Sequence, residues 1–575
     1  MRKINKVFST SVILTSLSFV PIVLVNSCGF NKEFYSNNDI GGLTDWLGQT
    51  KDRVEAKAKE IRAKESGNIN VGTENEMSIE QAKKLLNQKT ILISTGGKVN
   101  DNSFNQLVWE TVSSFSKSIG NNKNRYYETQ AIDQNMQNDA YNYAISNGFK
   151  IWILTGFQQE TLLGNWLKIG KNKERFDKAG IKIITVDWYS NSLTQPGRLL
   201  GLNFKTQESS FVVGYSASKL VSEIYPGIDD KSIKNRYFNT FAGGDFSGAT
   251  NFNYGFYEGL RKWNSEQIDN STKVASTTVS KNVSVDLNTS FAITNDSRAK
   301  VNNAIDGYSS QNAPKISMPV AGSLTSIALD RVQEKKSEQW IVGVDTDMAK
   351  SFNTMKDLIL TSSEKKISIA LYKALSTFYG LSEELDGNKI NDIRMVWDNE
   401  NYLIQQKQQN RNINDNLSLV ANYNFVGGYS EDFVSVSKST LNPNLKFAAN
   451  HKIESLRNKT YAQRFDEIVV ETWNKFFGED KKSGEFEKNK PSELEIYNGP
   501  IFFNNPKYGG MTANNLDNYF NLAIFGGTAK FYVYELDKDG TIKLDEQGKP
   551  ILKNEEERTI VGINSWLSSL TSEVN

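Results

Sequence analysis

From about residue 89 the chain alternates short apolar runs with amphipathic stretches, and this alternation constrains the fold more than any other feature. The runs are "TILIS", "YYETQ", "KIWILT" and "IKIITVD", with helical patterns from Ser103, near 134 to 147 and near 159 to 169. Strand-length runs separated by helices predict a parallel sheet covered by helices on both faces, whose ligands bind beyond the carboxyl ends of the strands. The pattern continues through "YFNTFAGGDFSGATNFNYGFYEGLRKW", "ISMPVAG" and "QWIVGVDTD" to a helix expected to start near Ser363. Another amphipathic helix is expected near 456 to 477.

The stretch "STGGKVNDNSFNQLVWE", residues 94 to 110, sits at one such strand end. Paired glycines before a helix suggest a phosphate cradle, but the spacing does not fit one. A P-loop needs G-x-x-x-x-G-K-[ST], whereas Lys98 is followed by Val99, and G-x-G-x-x-G is also absent. Ser103 and Gln106 form an S-x-x-Q capping box, and Val108, Val112, Phe115 and Ile119 recur on one face before Gly120 ends the helix. Phe104 then occupies the first helical position beside the loop, where it is poorly placed for a core.

Charge argues against nucleic acid as the partner: 67 Lys+Arg stand against 66 Asp+Glu, a net charge of +1. Catalysis also finds little support. The single histidine, His451, has no nucleophile pattern around it, and without a His or Cys cluster there is little case for zinc. Neither a cofactor nor a metal is expected. In "FYVYELDKDGTIKLDE" the residues Asp537, Asp539 and Gly540 lack the EF-hand spacing and read as the β-turn of a hairpin.

The N-terminus carries a basic start, Arg2, Lys3 and Lys6, then an apolar stretch from Val12 to Val25 too short for a comfortable membrane span. "LVNSC" follows, ending on Cys28, the only cysteine, and resembles a bacterial lipoprotein signal in which the cysteine is acylated. This predicts a signal peptide over 1–27 and a chain held by lipid at Cys28 on the outer face of the cell membrane. Residues 28–88, with "KDRVEAKAKEIRAKES", read as a tether plus a short helix. The Asn/Gln-rich 380–418 reads as a surface insertion, and 476–575 as a C-terminal extension.

In order, these segments resemble the basic membrane protein family of bacterial solute-binding lipoproteins, whose best understood members are purine nucleoside receptors of ABC transporters. The opening stretch matches the family signature T-D-x-G-x-I-D-D-K-S-F-N-Q-x-x-W-E at Gly97, Asn100, Asp101, Ser103, Phe104, Asn105, Gln106, Trp109 and Glu110. "TGF" at 155–157, "VD" at 186–187, "NFKTQESSFVVGYSA" at 203–217, "NYGFYEG" at 253–259, "PVAG" at 319–322, "GVDTD" at 343–347 and "TSSEKK" at 361–366 follow in family order. The resemblance covers about residues 89–475.

It implies a two-lobed, type I periplasmic-binding fold that closes on a nucleoside and delivers it to an ABC permease. The base would lie between Phe104 and Phe291, with polar contacts from Asn105, Asp187, Gly322, Asp345 and Lys365, Lys366 competing with Lys365 for its place. In this reading Asp345 accepts both ribose hydroxyls while the lysine keeps it ionised. Two positions depart from the family: Thr95 replaces an aspartate that reads the purine edge, and Ser323 replaces the second glycine of A-G-G. The alternative is a surface-exposed antigen or adhesin that retains the binding fold but mainly contacts host or partner molecules.

Overall fold

Thr90–Ile93 (β1) opens the first lobe in the computed structural model. The structure describes residues 87–477 apart from 96, 102–103, 130–131, 189, 191–192, 195–197, 278–285, 308–312, 379–422 and 430–432, together with 527–535, 545–546 and 551–560. The expected signal segment, Cys28, residues 29–86 of the expected tether, the expected 380–418 insertion and most of residues 476–575 lie outside the described residues.

After β1 come α1 (Phe104–Ser118), β2 (Arg125–Tyr127), α2 (Gln134–Ser146), β3 (Ile151–Thr155) and α3 (Gln159–Leu167). Then follow α4 (Asn172–Ala179), β4 (Lys182–Val186) and β5 (Leu199–Phe204). The second lobe runs through α5 (Thr206–Ile224), α6 (Asp230–Lys234), β6 (Tyr237–Ala242), α7 (Ser247–Glu266), β7 (Ala275–Ser276) and α8 (Asn295–Ile305). It continues with β8 (Ile316–Val320), α9 (Leu324–Glu334), β9 (Trp340–Asp345), α10 (Met348–Ser351) and β10 (Ile359–Lys365). After these come α11 (Ile367–Phe378), β11 (Tyr423–Gly427), β12 (Val434–Val436) and α12 (Tyr461–Phe477).

The strands form two six-stranded sheets, β11-β5-β4-β3-β1-β2 and β12-β10-β9-β8-β6-β7. Each contains the doubly wound order 2-1-3-4-5 plus one late edge strand, so β1 to β5 correspond one by one to β6 to β10. Within these two sheets the pairings are parallel except β10 with β12, where the chain returns antiparallel. The fold is the α/β class expected from the alternation, with parallel sheets flanked by helices.

Burial on both faces explains why the strands are apolar without alternation. The first sheet packs one face on α1 and α11 through Val108, Val112, Phe115, Leu371 and Leu375. Its other face meets α2, α3 and α4 through Tyr141, Trp166 and Phe176. The second sheet is covered by α5, α7 and α12 on one side and by α8 and α9 on the other. Each apolar side chain buried here contributes about 1.5–3 kcal/mol. The four residues expected on one face of α1, Val108, Val112, Phe115 and Ile119, are all at most 2% exposed.

Two helices cross between lobes. α5 leaves the first sheet and packs in the second lobe, while α11 leaves β10 and packs against α1, where Thr111 Oγ1 donates to Ser368 Oγ at 2.9 Å. The lobes are therefore joined at residues 204–206 and 365–367 and between β11 and β12. The "NYGFYEG" glycines serve packing: a Cβ on Gly255 would stand 2.2 Å from the Gln207 carbonyl oxygen, and one on Gly259 2.3 Å from that of Phe211. Only glycine lets α7 and α5 approach this closely.

One expectation needs correction. The helix placed near Ser363 starts at Ile367, because Thr361 to Lys365 extend β10 between β9 and β12. Their hydroxyls suggest a helix start but are satisfied inside the fold: Ser363 Oγ lies 2.8 Å from Ser209 Oγ, and Thr361 Oγ1 donates to the Ser437 carbonyl. The strand Gly527–Tyr534 (β13) pairs antiparallel with Leu552–Ile560 (β14). The turn residues Asp537, Asp539 and Gly540 lie outside the described residues.

Candidate functional site

The carboxyl ends of both sheets face one another across a cleft, and a cavity of about 640 Å³ lies between them. The first strand of the first lobe ends in the loop that carries Thr95, Gly97 and Asp101 and leads into α1. A Cβ on Gly97 would stand 2.5 Å from Asn105 Nδ2, so this glycine is needed for close packing of the loop on α1. Asp101 caps the helix, accepting from Asn105 N and Gln106 N at 3.2 Å each and from Asn105 Nδ2 at 2.9 Å. Ser103 of the expected capping box lies outside the described residues. Phe104 begins α1 and lines the cavity.

Neighbouring strand ends add to the wall. Thr95 Oγ1 donates to the Thr155 carbonyl at 3.1 Å, and Thr155 Oγ1 donates to Asn105 Oδ1 at 2.8 Å. The Asn105 carboxamide is thus bonded at both ends. In the second lobe Gly322, at the matching strand end, adopts φ 55°, which favours glycine. Ser323, the departure from the family pattern, donates through Oγ to the Phe291 carbonyl at 2.9 Å and anchors the loop that holds this phenylalanine in the wall.

Three charged side chains meet inside. Lys365 Nζ, at the end of β10, lies 2.6 Å from Asp187 Oδ2, 3.1 Å from Asp345 Oδ1 and 2.8 Å from the Gly248 carbonyl oxygen. Its side chain is 2% exposed, and its ammonium lies 5.5 Å from the Phe104 ring centroid and 5.0 Å from that of Phe252. Burial works against the charged lysine, but Asp187 and Asp345 outweigh it and hold its pKa above the ordinary value. Burial is also the largest influence on Asp187, pushing its carboxyl up to about 6 against the pull of Lys365. Lys366 instead follows the strand and donates its backbone N–H to the Phe433 carbonyl.

Thr95, Phe104, Asn105, Asp187, Phe291, Gly322, Asp345 and Lys365, the positions named from sequence, all lie on this one cavity wall. Sequence reasoning missed Phe246, which also lines it. The Phe246 ring stacks on Phe157 of the opposite lobe, with centroids 4.0 Å apart and planes at 22°, and it lies 5.9 Å from Phe291. A signal was present: the chain runs from a strand through Gly243, Gly244 and Phe246 into a helix, the same order as Gly96, Gly97 and Phe104.

No protein-family model matches the chain, and no curated protein matches it either. Among solved structures it is similar to an ABC transporter solute-binding protein from Aeropyrum pernix K1, at 14% identity and a TM-score of 0.46, covering 76% of this chain and 97% of that one. A transcriptional activator of the comK gene from Bacillus halodurans matches at 9% identity and a TM-score of 0.39, covering 70% and 99%. The arabinose-binding protein AraP from Geobacillus stearothermophilus matches at 10% identity and 0.38, covering 61% and 96%. Similarity of this degree carries no argument about ligand or partner.

Proposed function

We infer that the chain is an extracytoplasmic solute-binding lipoprotein of an ABC transporter, taking a nucleoside between its lobes and presenting it to a permease. The observation that carries this reading is the meeting of Asp187, Lys365 and Asp345 inside a cavity that Phe104 and Phe291 line from opposite lobes. A carboxylate accepts two hydroxyl donors, as a ribose diol offers, and aromatic faces suit a flat base. Asp187 follows β4 and Thr95 follows β1, two strands away across the sheet. At strand spacing this separates them by about 10 Å, a span suited to a nucleoside lying across the strand ends.

The mechanism is lobe closure. Groups from both lobes line the cavity, so a ligand touching all of them favours the closed arrangement over the open one. Family resemblance supports purine nucleosides, and Cys28 supports anchoring by lipid at the outer face of the membrane.

Calorimetric titration of the purified full-length chain with adenosine, guanosine, inosine, uridine and free bases tests the reading. Ribonucleosides should bind and free bases bind far more weakly. Phe104→Ala should weaken binding about tenfold or more, given about 1–3 kcal/mol per stacked base. Silence with every nucleoside would sink the proposal.

A further inference from the structure

Two helix N-termini open onto the cavity. α1 presents Phe104 and Asn105 to it, and α7, its counterpart in the second lobe, presents Gly248 and Ala249. Such ends attract phosphate, because their first N–H groups lack partners within the helix and the helix dipole favours negative charge. Here the protein supplies the anions itself. Asp101 takes the N–H groups of Asn105 and Gln106 at α1. At α7 the Asp187 side chain lies against the first turn, where a Cβ on Gly248 would stand 3.1 Å from its Cγ.

The buried cation is committed too. Lys365 is bonded to Asp187 and ion-paired with Asp345, so the three carry one formal negative charge in all. Among the described residues the remaining charged side chains on the wall are Asp101 and the exposed Lys98, which cancel formally. A phosphate monoester would bring about 1.5 to 2 further negative charges into this space at neutral pH. It would find the α1 end and the buried lysine already occupied by carboxylates and the Asp187 carboxylate lying beside the α7 end, and like charges brought together in this way cost several kcal/mol.

We propose that Asp101 and Asp187 are resident counter-anions that make the cavity select unphosphorylated ligands, with Asp101 a specificity-determining residue. The inference rests on the nucleoside reading for its natural ligand, but its electrostatic core does not. One consequence is a place in a reaction sequence. Where the available source is a nucleotide, a phosphomonoester hydrolase must act first, using water to cleave the ester bond and releasing inorganic phosphate and the free hydroxyl that this site accepts.

The test uses the purified full-length chain, its Asp101→Asn variant and a second variant, Asp101→Ala, in case the first keeps the cap too well. Each is titrated with adenosine and adenosine 5′-monophosphate, and each is melted in sodium phosphate and in sodium chloride at equal ionic strength. The native chain should bind the monophosphate about a hundredfold more weakly than adenosine, and the Asp101 variants should narrow that ratio about tenfold. Phosphate should raise the melting temperature of the variants but not of the native chain. Equal affinity of the native chain for both ligands would overturn the proposal, as would variants that leave both the ratio and the phosphate response unchanged. If adenosine gives no heat while phosphate still stabilises only the variants, the nucleoside reading fails and the anion-exclusion proposal stands.

Discussion

Asp187 and Asp345 occupy matching places in the two lobes, one just after β4 and the other at the end of β9, and both adopt φ 68°. A left-handed backbone costs a non-glycine residue on the order of 1 kcal/mol or more, although aspartate tolerates it better than most. The two carboxylates converge on one lysine, at 2.6 and 3.1 Å from Lys365 Nζ. Backbone strain at a shared position in each lobe thus aims acids from opposite sides into one cleft.

Lys365 should be the most costly single substitution in the cavity. Lys365→Met leaves two buried carboxylates without their cation, and breaking a buried pair in this way costs about 3–5 kcal/mol. Chemical denaturation should show a loss of this size, with nucleoside binding abolished. A variant as stable as the native chain would mean that the three charges are not coupled as their distances imply.

The Asp187 carboxyl, raised to about 6 by burial, makes a pH prediction with opposite signs for stability and binding. Because its pKa is higher folded than unfolded, its favourable contribution to stability is fully present below the usual carboxylate range and is lost as pH rises through about 6. Binding that uses the ionised group should weaken as pH falls from 7 to 5. The affinity of Asp187→Asn for nucleoside, lower overall, should vary less over that window, and parallel pH profiles for the two proteins would remove Asp187 from the binding step.

Phe157 and Phe246 stack across the cleft, yet only Phe246 lines the cavity. An aromatic pair contributes about 0.5–1.5 kcal/mol beyond its buried area. Phe157→Ala should therefore weaken binding about two- to tenfold by favouring the open arrangement, without removing a ligand contact. Small-angle scattering in saturating ligand should still show a closed particle, whereas the unliganded variant should be more open than the native chain. Identical scattering of the two unliganded proteins would show that the stack does not hold the lobes.

Cys28 is the one cysteine of the chain, and the proposed lipid anchor rests on it. Cys28→Ala should move the protein from the membrane fraction to the soluble fraction while leaving nucleoside affinity as it was. Continued membrane retention would assign the anchoring to some other part of the chain.

Much of the fold is legible in the order of residues. The apolar runs locate the strands because both faces of each sheet are covered, and the periodicity of Val108, Val112, Phe115 and Ile119 locates α1 because one face of a helix meets the core. The start of α11 is not legible in this way, because Thr361, Ser362 and Ser363 are polar yet buried: their hydroxyls find partners on α5, at the start of α10 and in the chain after β12 that are distant in sequence.

Sequence alone therefore accounts for the alternating α/β pattern, the lack of a phosphate-loop spacing and, through the resemblance, a set of candidate residues spread from Thr95 to Lys365. Their meeting belongs to the tertiary fold. The chain crosses between lobes three times, bringing Asp187 to Lys365, 178 residues later, within 2.6 Å. Local propensity carries no information about such a distance. It follows from two sheets of the same strand order, each burying both faces, placed with their carboxyl ends toward one cavity.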